Sequence, residues 1–149
     1  MPGEYQGPDL FSSASFQSLK SFVGERLSSA QGEPEDFEQF EQTLHERVMA
    51  FEAEVVAARL SRYDEKAPEV EVGGVVYRRK DEFPKEYSGL GGKFELRRAL
   101  YVPRDGGKAI CPLELRAGMV EGYWTPRAAR VMARAVSAST PREAAALFE

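Results

Sequence analysis

The sequence has almost none of the residues that form disulfides and zinc sites. Its 149 residues include one cysteine, Cys111, and one histidine, His45, far apart in the chain. A single cysteine excludes an internal disulfide, and a structural zinc site needs about four Cys or His ligands. A metal site would have to be built from carboxylates, and we predict neither a metal nor another cofactor.

Long apolar runs and a secretory signal are missing as well. No stretch approaches the roughly 20 apolar residues that cross a membrane. The first ten residues, MPGEYQGPDL, have neither the basic region nor the apolar run of a signal peptide. With 42% hydrophobic and 30% charged residues, the chain has material for one modest core. We therefore predict a soluble, cytoplasmic, single-core protein without a membrane partner.

Positive charge is scarce in the first half of the chain. Residues 1–70 contain 14 acidic and 6 basic side chains, whereas residues 71–149 contain 10 acidic and 14 basic ones. The first half would repel a polyanion and the second half would attract one. A nucleic-acid contact is therefore expected in the second half, with a solvated surface of segregated charges as the equally good alternative.

Helical spacing of apolar residues marks the N-terminal third. Residues 1–34 are rich in Ser, Gly, Gln and Pro, so we predict a flexible or partly helical lead-in. Residues 35–62 form a continuous apolar stripe, which predicts a long amphipathic helix of about 42 Å. Part of this stripe is predicted to pack on a second chain, and packing on the protein's own sheet is the alternative. The predicted interface residues are Phe37, Phe40, Leu44, Val48, Phe51 and Val55.

Residues 69–111 change to the alternating pattern of strands. Gly73-Gly74 and Gly91-Gly92 each separate two such runs, as in tight hairpin turns. In the last run the even-numbered residues 94–102 are apolar except Arg98, and Tyr101 is assigned to the opposite, polar face. We predict an antiparallel meander of about four strands covered by helices, which makes the fold class α+β.

Helix-start signals dominate residues 112–149. Pro112 predicts one short helix, and Thr125-Pro126 and Thr140-Pro141 each combine an N-cap residue with proline at the first helical position. The last two helices resemble the beginning of a helix-turn-helix. Arginines on one face of the first of them, together with arginines of the sheet, form the predicted nucleic-acid-binding set, although a solvated face is the commoner use of such residues. The set is Arg97, Arg104, Arg127, Arg130, Arg134 and Arg142.

Several short motifs follow one another in a fixed order. They are VEVGGVVYRR at 70–79, the segment from YSGLGGKFELRRALYV through TPRAAR at 87–130, and STPREAAALFE at 139–149. This order resembles the N-terminal region of the ISKra-like DDE transposases of bacterial insertion sequences, over about residues 37–149. The family motifs correspond here to Arg98 with Tyr101, Cys111 to Glu114 with Gly118, Thr125 to Ala129, and Arg142 to Ala145.

The resemblance implies a function and also a limit to it. In the family, the recognition helix and the catalytic carboxylates lie downstream of the Arg-Glu-Ala-Ala helix, so we expect a truncated transposase region without enzymatic activity. It would associate with DNA weakly and without sequence specificity. Relatives often have a Cys-x-x-Cys pair where this chain has residues 102–107, so no zinc ribbon is expected and Cys111 is interpreted as a small buried hydrophobe. The alternatives are an oligomerisation or interaction module without a DNA role, and a non-functional remnant.

Overall fold

A computed structural model describes residues 9–28, 36–138, 142 and 146 of the chain. The fold class is α+β, as predicted, and the long helix begins and ends within two residues of the predicted range 35–62. None of the described helices is long and apolar enough to span a membrane. After a short 3₁₀ helix at Leu10–Ser12, the elements are α1 (Ala14–Ser28), α2 (Phe37–Ser61), β1 (Glu69–Val72), β2 (Val75–Gly89), β3 (Gly92–Pro103), α3 (Pro112–Ala117) and α4 (Pro126–Ala138).

Helix α1 packs on the N-terminal half of α2 through aromatic rings. Phe22 is buried and stacks on Phe40 with ring centroids 5.6 Å apart. Phe16 meets Phe51 at 5.1 Å, and the guanidinium of Arg47 lies 5.2 Å above the Phe22 ring. The described part of the lead-in is thus a packed helix, while its first eight residues lie outside the described part of the chain.

The sheet has three antiparallel strands in the order β1-β2-β3, so the prediction of about four strands was wrong. Two of the predicted strands are one, because strand β2 runs unbroken from Val75 through Pro84 to Gly89. β1 pairs only with residues 75–78, so at Pro84 strand β2 has β3 as its one neighbouring strand. The missing amide of Pro84 therefore breaks no hydrogen bond on the β1 side of β2. The first predicted hairpin turn is confirmed, since Gly73 and Gly74 have φ of 59° and 79°.

The core lies between the C-terminal end of α2, one face of β2 and β3, and helix α3. Its buried members are Leu60, Tyr87, Cys111 and Leu113. Tyr87 and Leu113 have no exposed surface at all. Because these residues come from α2, β2 and α3 with its N-cap, the core holds α2 and α3 on the same face of the sheet.

Residues 64–68 cross from β3 to β2 and cover a tyrosine that the sequence pattern places with polar side chains. The Asp64 carboxylate accepts a hydrogen bond from the Ala99 amide at 3.1 Å, and the Pro68 carbonyl accepts one from the Arg79 amide at 2.9 Å. Between these two anchors, the hydroxyl of Tyr101 donates to the Ala67 carbonyl at 2.6 Å. Tyr101 is therefore fully buried, although it shares one face of β3 with the exposed side chains of Lys93, Glu95 and Arg97.

Helix α3 is attached to this crossing segment by Arg116. Its guanidinium donates to the Glu65 carboxylate and, at 3.2 Å, to the Tyr63 carbonyl. The hydrogen bond from Arg116, followed by those from the amides of Ala67 and Lys66, lowers the pKa of Glu65 from 4.5 to about 2. The ionised form of Glu65 is thus favoured by folding.

Acid should weaken this attachment. The folded-state pKa of Glu65 is depressed, so its contribution to stability is fully present above about pH 4.5 and is lost as the pH falls towards about 2. We expect the free energy of unfolding to decrease less between about pH 5 and about pH 2 in Glu65→Gln than in the wild type. Urea unfolding at a series of pH values measures this decrease. The control is Glu25→Gln, because Glu25 is exposed on α1. Equal decreases in Glu65→Gln and the wild type would show that Glu65 does not carry the effect.

The C-terminal elements follow the predicted helix signals. α3 ends at Gly118, which has φ of 68°, and α4 begins at Pro126 after Thr125. The Thr125 amide donates to the Ser88 carbonyl at 3.0 Å, which fixes the start of α4 beside the end of β2. The helix predicted from Thr140-Pro141 falls almost wholly outside the described residues, where only Arg142 and Ala146 are described, both helical and exposed.

Candidate functional site

Four polar side chains meet beneath α3 in a buried ion cluster, formed by Lys85, Tyr87, Arg98 and Glu114. One carboxylate oxygen, Oε1 of Glu114, accepts hydrogen bonds from Lys85 Nζ and from the Tyr87 hydroxyl, both at 2.7 Å. Arg98 Nε lies 3.7 Å from the same oxygen and donates to the Tyr87 hydroxyl at 3.1 Å. One carboxylate therefore balances two cations, of which Arg98 is buried and Lys85 has a side chain that is 30% exposed.

The sheet and α3 place these groups on one face. Lys85 and Tyr87 are two residues apart on β2, so their side chains lie on the same face. Arg98 on β3 pairs with Phe83, two residues before Lys85, and therefore lies on that face as well. All three side chains point towards α3. Glu114 lies in the first turn of α3, where the helix dipole favours a negative charge. Burial, and then the hydrogen bond to the Glu114 carboxylate, raise the pKa of Tyr87, so its hydroxyl stays neutral.

A tight turn closes over the cluster. Glu121 and Gly122 both have positive φ, of 54° and 77°. A Cβ atom at Gly122 would lie 3.3 Å from Lys85 Nζ and 3.6 Å from Glu114 Oε2. The backbone of this turn thus lies against Lys85 and Glu114 and leaves little room for a side chain at residue 122.

The ion cluster has the chemistry of a structural site. Its four side chains bond one another, and Nη1 of Arg98 also donates to the Phe83 carbonyl at 3.0 Å. Arg98 was noted in the sequence only as an interruption of the apolar row. A cation in such a row is itself a signal of a buried ion pair, because it is seldom buried unpaired.

Other carboxylates and the cysteine have structural roles. The side chains of Asp9 and Asp36 accept from the amides of Phe11 and Glu38 at helix starts. Within the described residues, no group of three or more His, Cys, Asp or Glu side chains is arranged to hold a metal ion. Cys111 is only 6% exposed and burial raises the pKa of its thiol, which confirms its interpretation as a buried hydrophobe.

The predicted DNA-contacting arginines do not form one surface. Arg104 follows β3 and pairs with Glu69 at 2.8 Å, while Arg97 donates to the Glu82 carbonyl at 3.2 Å from the middle of β3. Helix α4 starts beside Ser88 of β2. Arg104 directly follows Pro103, which pairs with Tyr77 of β2, eleven residues before Ser88. At about 3.3 Å per residue, Arg104 and α4 are separated by roughly 35 Å of strand.

Helix α4 brings the remaining described arginines together. Arg127, Arg130 and Arg134 are exposed, and the helix contains no acidic residue. None of the three forms an ion pair with the residues that the structure describes, whereas Arg98, Arg104 and Arg116 each pair with a glutamate. We call these three side chains the α4 arginine row, and they place three unneutralised positive charges on one helix. Arg142 is also exposed, beyond the end of α4.

The predicted oligomer interface divides into two sets. Phe40 and Phe51 contact α1 and are therefore occupied within the chain. Phe37, Val48 and Val55 are 69%, 45% and 38% exposed, and Leu44 is half-buried. His45 is exposed on the same helix.

Comparison with protein-family profiles, with curated proteins and with solved structures finds no match to this chain.

Proposed function

We propose that this chain is the DNA-associating N-terminal region of an ISKra-like insertion-sequence transposase, acting in the cytoplasm. The observation that carries the proposal is the α4 arginine row, Arg127, Arg130 and Arg134, which has no carboxylate partner among the described residues. An exposed row of unpaired arginines favours a polyanion, because phosphate replaces the missing counter-ions. The order of the family motifs supports the identity of that polyanion as DNA.

The dimensions of the row suit a phosphate backbone. Arg127 and Arg134 are seven residues apart, which is about 10 Å along a helix. Each DNA strand has one charge per about 3.4 Å of helix axis, so the row spans about three successive phosphates. Contacts of this kind fix position without reading sequence, so binding is expected to be weak and non-specific.

The proposal assigns the chain no catalytic step. Strand transfer by this class of transposase depends on several carboxylates that hold divalent metal. Here Glu65, Glu69 and Glu114 pair with arginines, and Asp64 accepts from the backbone of β3. In this proposal the chain supplies DNA contact, and the catalytic carboxylates belong to another part of the transposase.

Removing the row should reduce both affinity and its salt dependence. We expect the triple variant Arg127→Ala, Arg130→Ala, Arg134→Ala to bind a random-sequence duplex more weakly. The slope of log affinity against log salt should become shallower by about 2.7, because each lost phosphate contact contributes about 0.9. Fluorescence anisotropy over a salt series measures both quantities.

A charge-matched control separates the row from net charge. Lys20, Lys66 and Lys93 are exposed and lie on other elements, so replacing all three by alanine removes the same formal charge. We expect this control to leave the salt slope within about 0.5 of the wild-type value. Equal effects of the two triple variants would show that α4 is not the contact, and a wild-type protein without duplex binding would refute the function itself.

A further inference from the structure

Helix α2 has an exposed apolar strip along one side. The strip consists of Phe37, Leu44, Val48 and Val55, which are spaced by seven, four and seven residues and therefore share one face. Glu41, Leu44, His45 and Val48 line an open groove of about 430 Å³ on this face. An apolar strip of this length on an exposed helix is typical of an association surface.

The neighbouring sides of α2 are already covered. Phe40 and Phe51 face α1 on one side. On another side, Gly91 approaches so closely that its Cβ would lie 2.7 Å from the Met49 carbonyl and 2.9 Å from the Ala53 amide. A further helix can therefore reach only the strip and one flank of it. That flank carries four exposed side chains, Glu38, His45, Glu52 and Arg59. Two of them also have neighbours within the chain, since Glu52 Oε2 would lie 2.9 Å from a Cβ at Gly91 and the Arg59 guanidinium lies 5.9 Å above the Tyr63 ring.

We propose that the strip is covered by the same strip of a second copy of this chain, with the two α2 helices antiparallel and the two-fold axis between Val48 and Met49. In this arrangement Glu38 lies opposite Arg59 of the second copy, and His45 lies opposite Glu52. The midpoint of each pair along the helix falls between Val48 and Met49, so a single antiparallel register forms both pairs. Two-fold symmetry repeats each contact.

The covered side of α2 decides the orientation. In a parallel helix pair, one flank of each helix meets the opposite flank of its partner, whereas in an antiparallel pair each flank meets its own equivalent. The opposite flank contains Arg47, which lies over the Phe22 ring of α1 and hydrogen-bonds Ser18. Since α1 occupies that flank in both copies, a parallel pair would set each α1 against the exposed flank of the partner. The antiparallel arrangement brings the two exposed flanks together on one side and the two α1-covered flanks together on the other. This inference does not depend on DNA binding.

Sedimentation equilibrium of the full chain over a wide concentration range tests the association. We expect the mass to rise from 16.6 kDa to twice that value. Val48→Glu places two carboxylates beside the axis and should raise the dimer dissociation constant about tenfold or more. Val75→Glu is the matched control, because Val75 is 44% exposed against 45% for Val48 and lies on β2.

Two outcomes would overturn the surface. One is a monomer at every concentration, and the other is equal weakening by Val48→Glu and Val75→Glu while circular dichroism shows that both variants remain folded. Charge exchange then tests the orientation. Glu38→Arg and Arg59→Glu should each weaken the dimer, and the double variant should recover to within about threefold of the wild type. A double variant as weak as the single ones overturns the antiparallel register.

Discussion

Replacing Glu114 by alanine is expected to lower the free energy of unfolding by about 3–5 kcal/mol. Arg98 is only 8% exposed, and its charge would lose its carboxylate partner. Lys85 and the Tyr87 hydroxyl would each lose a 2.7 Å hydrogen-bond acceptor in the same step. Leaving the buried Arg98 charge without a partner destabilises the fold by more than the ion pair stabilises it. The loss of unfolding free energy should therefore far exceed the loss caused by breaking a surface ion pair.

Urea unfolding followed by circular dichroism measures this loss. The control is Glu86→Ala, which breaks a 3.4 Å pair with Lys93 whose side chains are 62% and 71% exposed, and should cost less than about 1 kcal/mol. Glu114→Gln keeps an acceptor without the charge and should fall between the two. A cost below about 1 kcal/mol for Glu114→Ala would mean that the buried ion cluster is not what holds α3 on the sheet.

Gly91→Ala should give the second large effect, a loss of about 1–3 kcal/mol. The added Cβ would lie 2.7 Å from the Met49 carbonyl oxygen and 2.9 Å from the Ala53 amide nitrogen. Both are backbone atoms inside α2, so the contact is relieved only if the hairpin moves away from the helix. Gly91→Val should cost more than Gly91→Ala because it adds two methyl groups at the same place.

Gly24→Ala is the natural comparison for this substitution. Gly24 lies inside α1, and a Cβ there would meet nothing within 4 Å. Alanine at such a position should stabilise the protein by about 0.5–1 kcal/mol, through helix propensity alone. Thermal unfolding of both variants therefore should show shifts of opposite sign. A neutral Gly91→Ala would show that the turn between β2 and β3 does not depend on close contact with α2.

Local sequence signals predicted those parts of the fold that local chemistry determines. Pro112 and Thr125-Pro126 marked the starts of α3 and α4, and Gly73-Gly74 marked a turn. Each signal acts through φ preference or hydrogen bonding within about four residues, so no distant partner is needed. The α4 arginine row was predictable for the same reason, since helical spacing alone places its members on one face.

Distant contacts were beyond such signals. Tyr101 is buried by residues 64–68, which the alternating pattern of β3 does not reveal. Glu114 meets Arg98 from a different element, so spacing along the chain could not pair them. The arginines of β3 were grouped with those of α4 by charge alone, and only the strand register shows that Arg104 lies at the other end of the sheet.

The edges of the small sheet have a consequence for aggregation. β1 is four residues long and includes Glu69 and Glu71, while the outer edge of β3 is bonded to Asp64 and Ile110 at residues 99–101. The rest of that edge carries the charged side chains of Lys93, Glu95 and Arg97. Short, charged or occupied edges resist edge-to-edge pairing between molecules. β2 beyond Arg78 is the remaining edge, and it contains Pro84, which has no amide to donate. The segment that buries Tyr101 therefore has a second consequence, because its bond to Ala99 blocks edge-to-edge pairing at that point of β3.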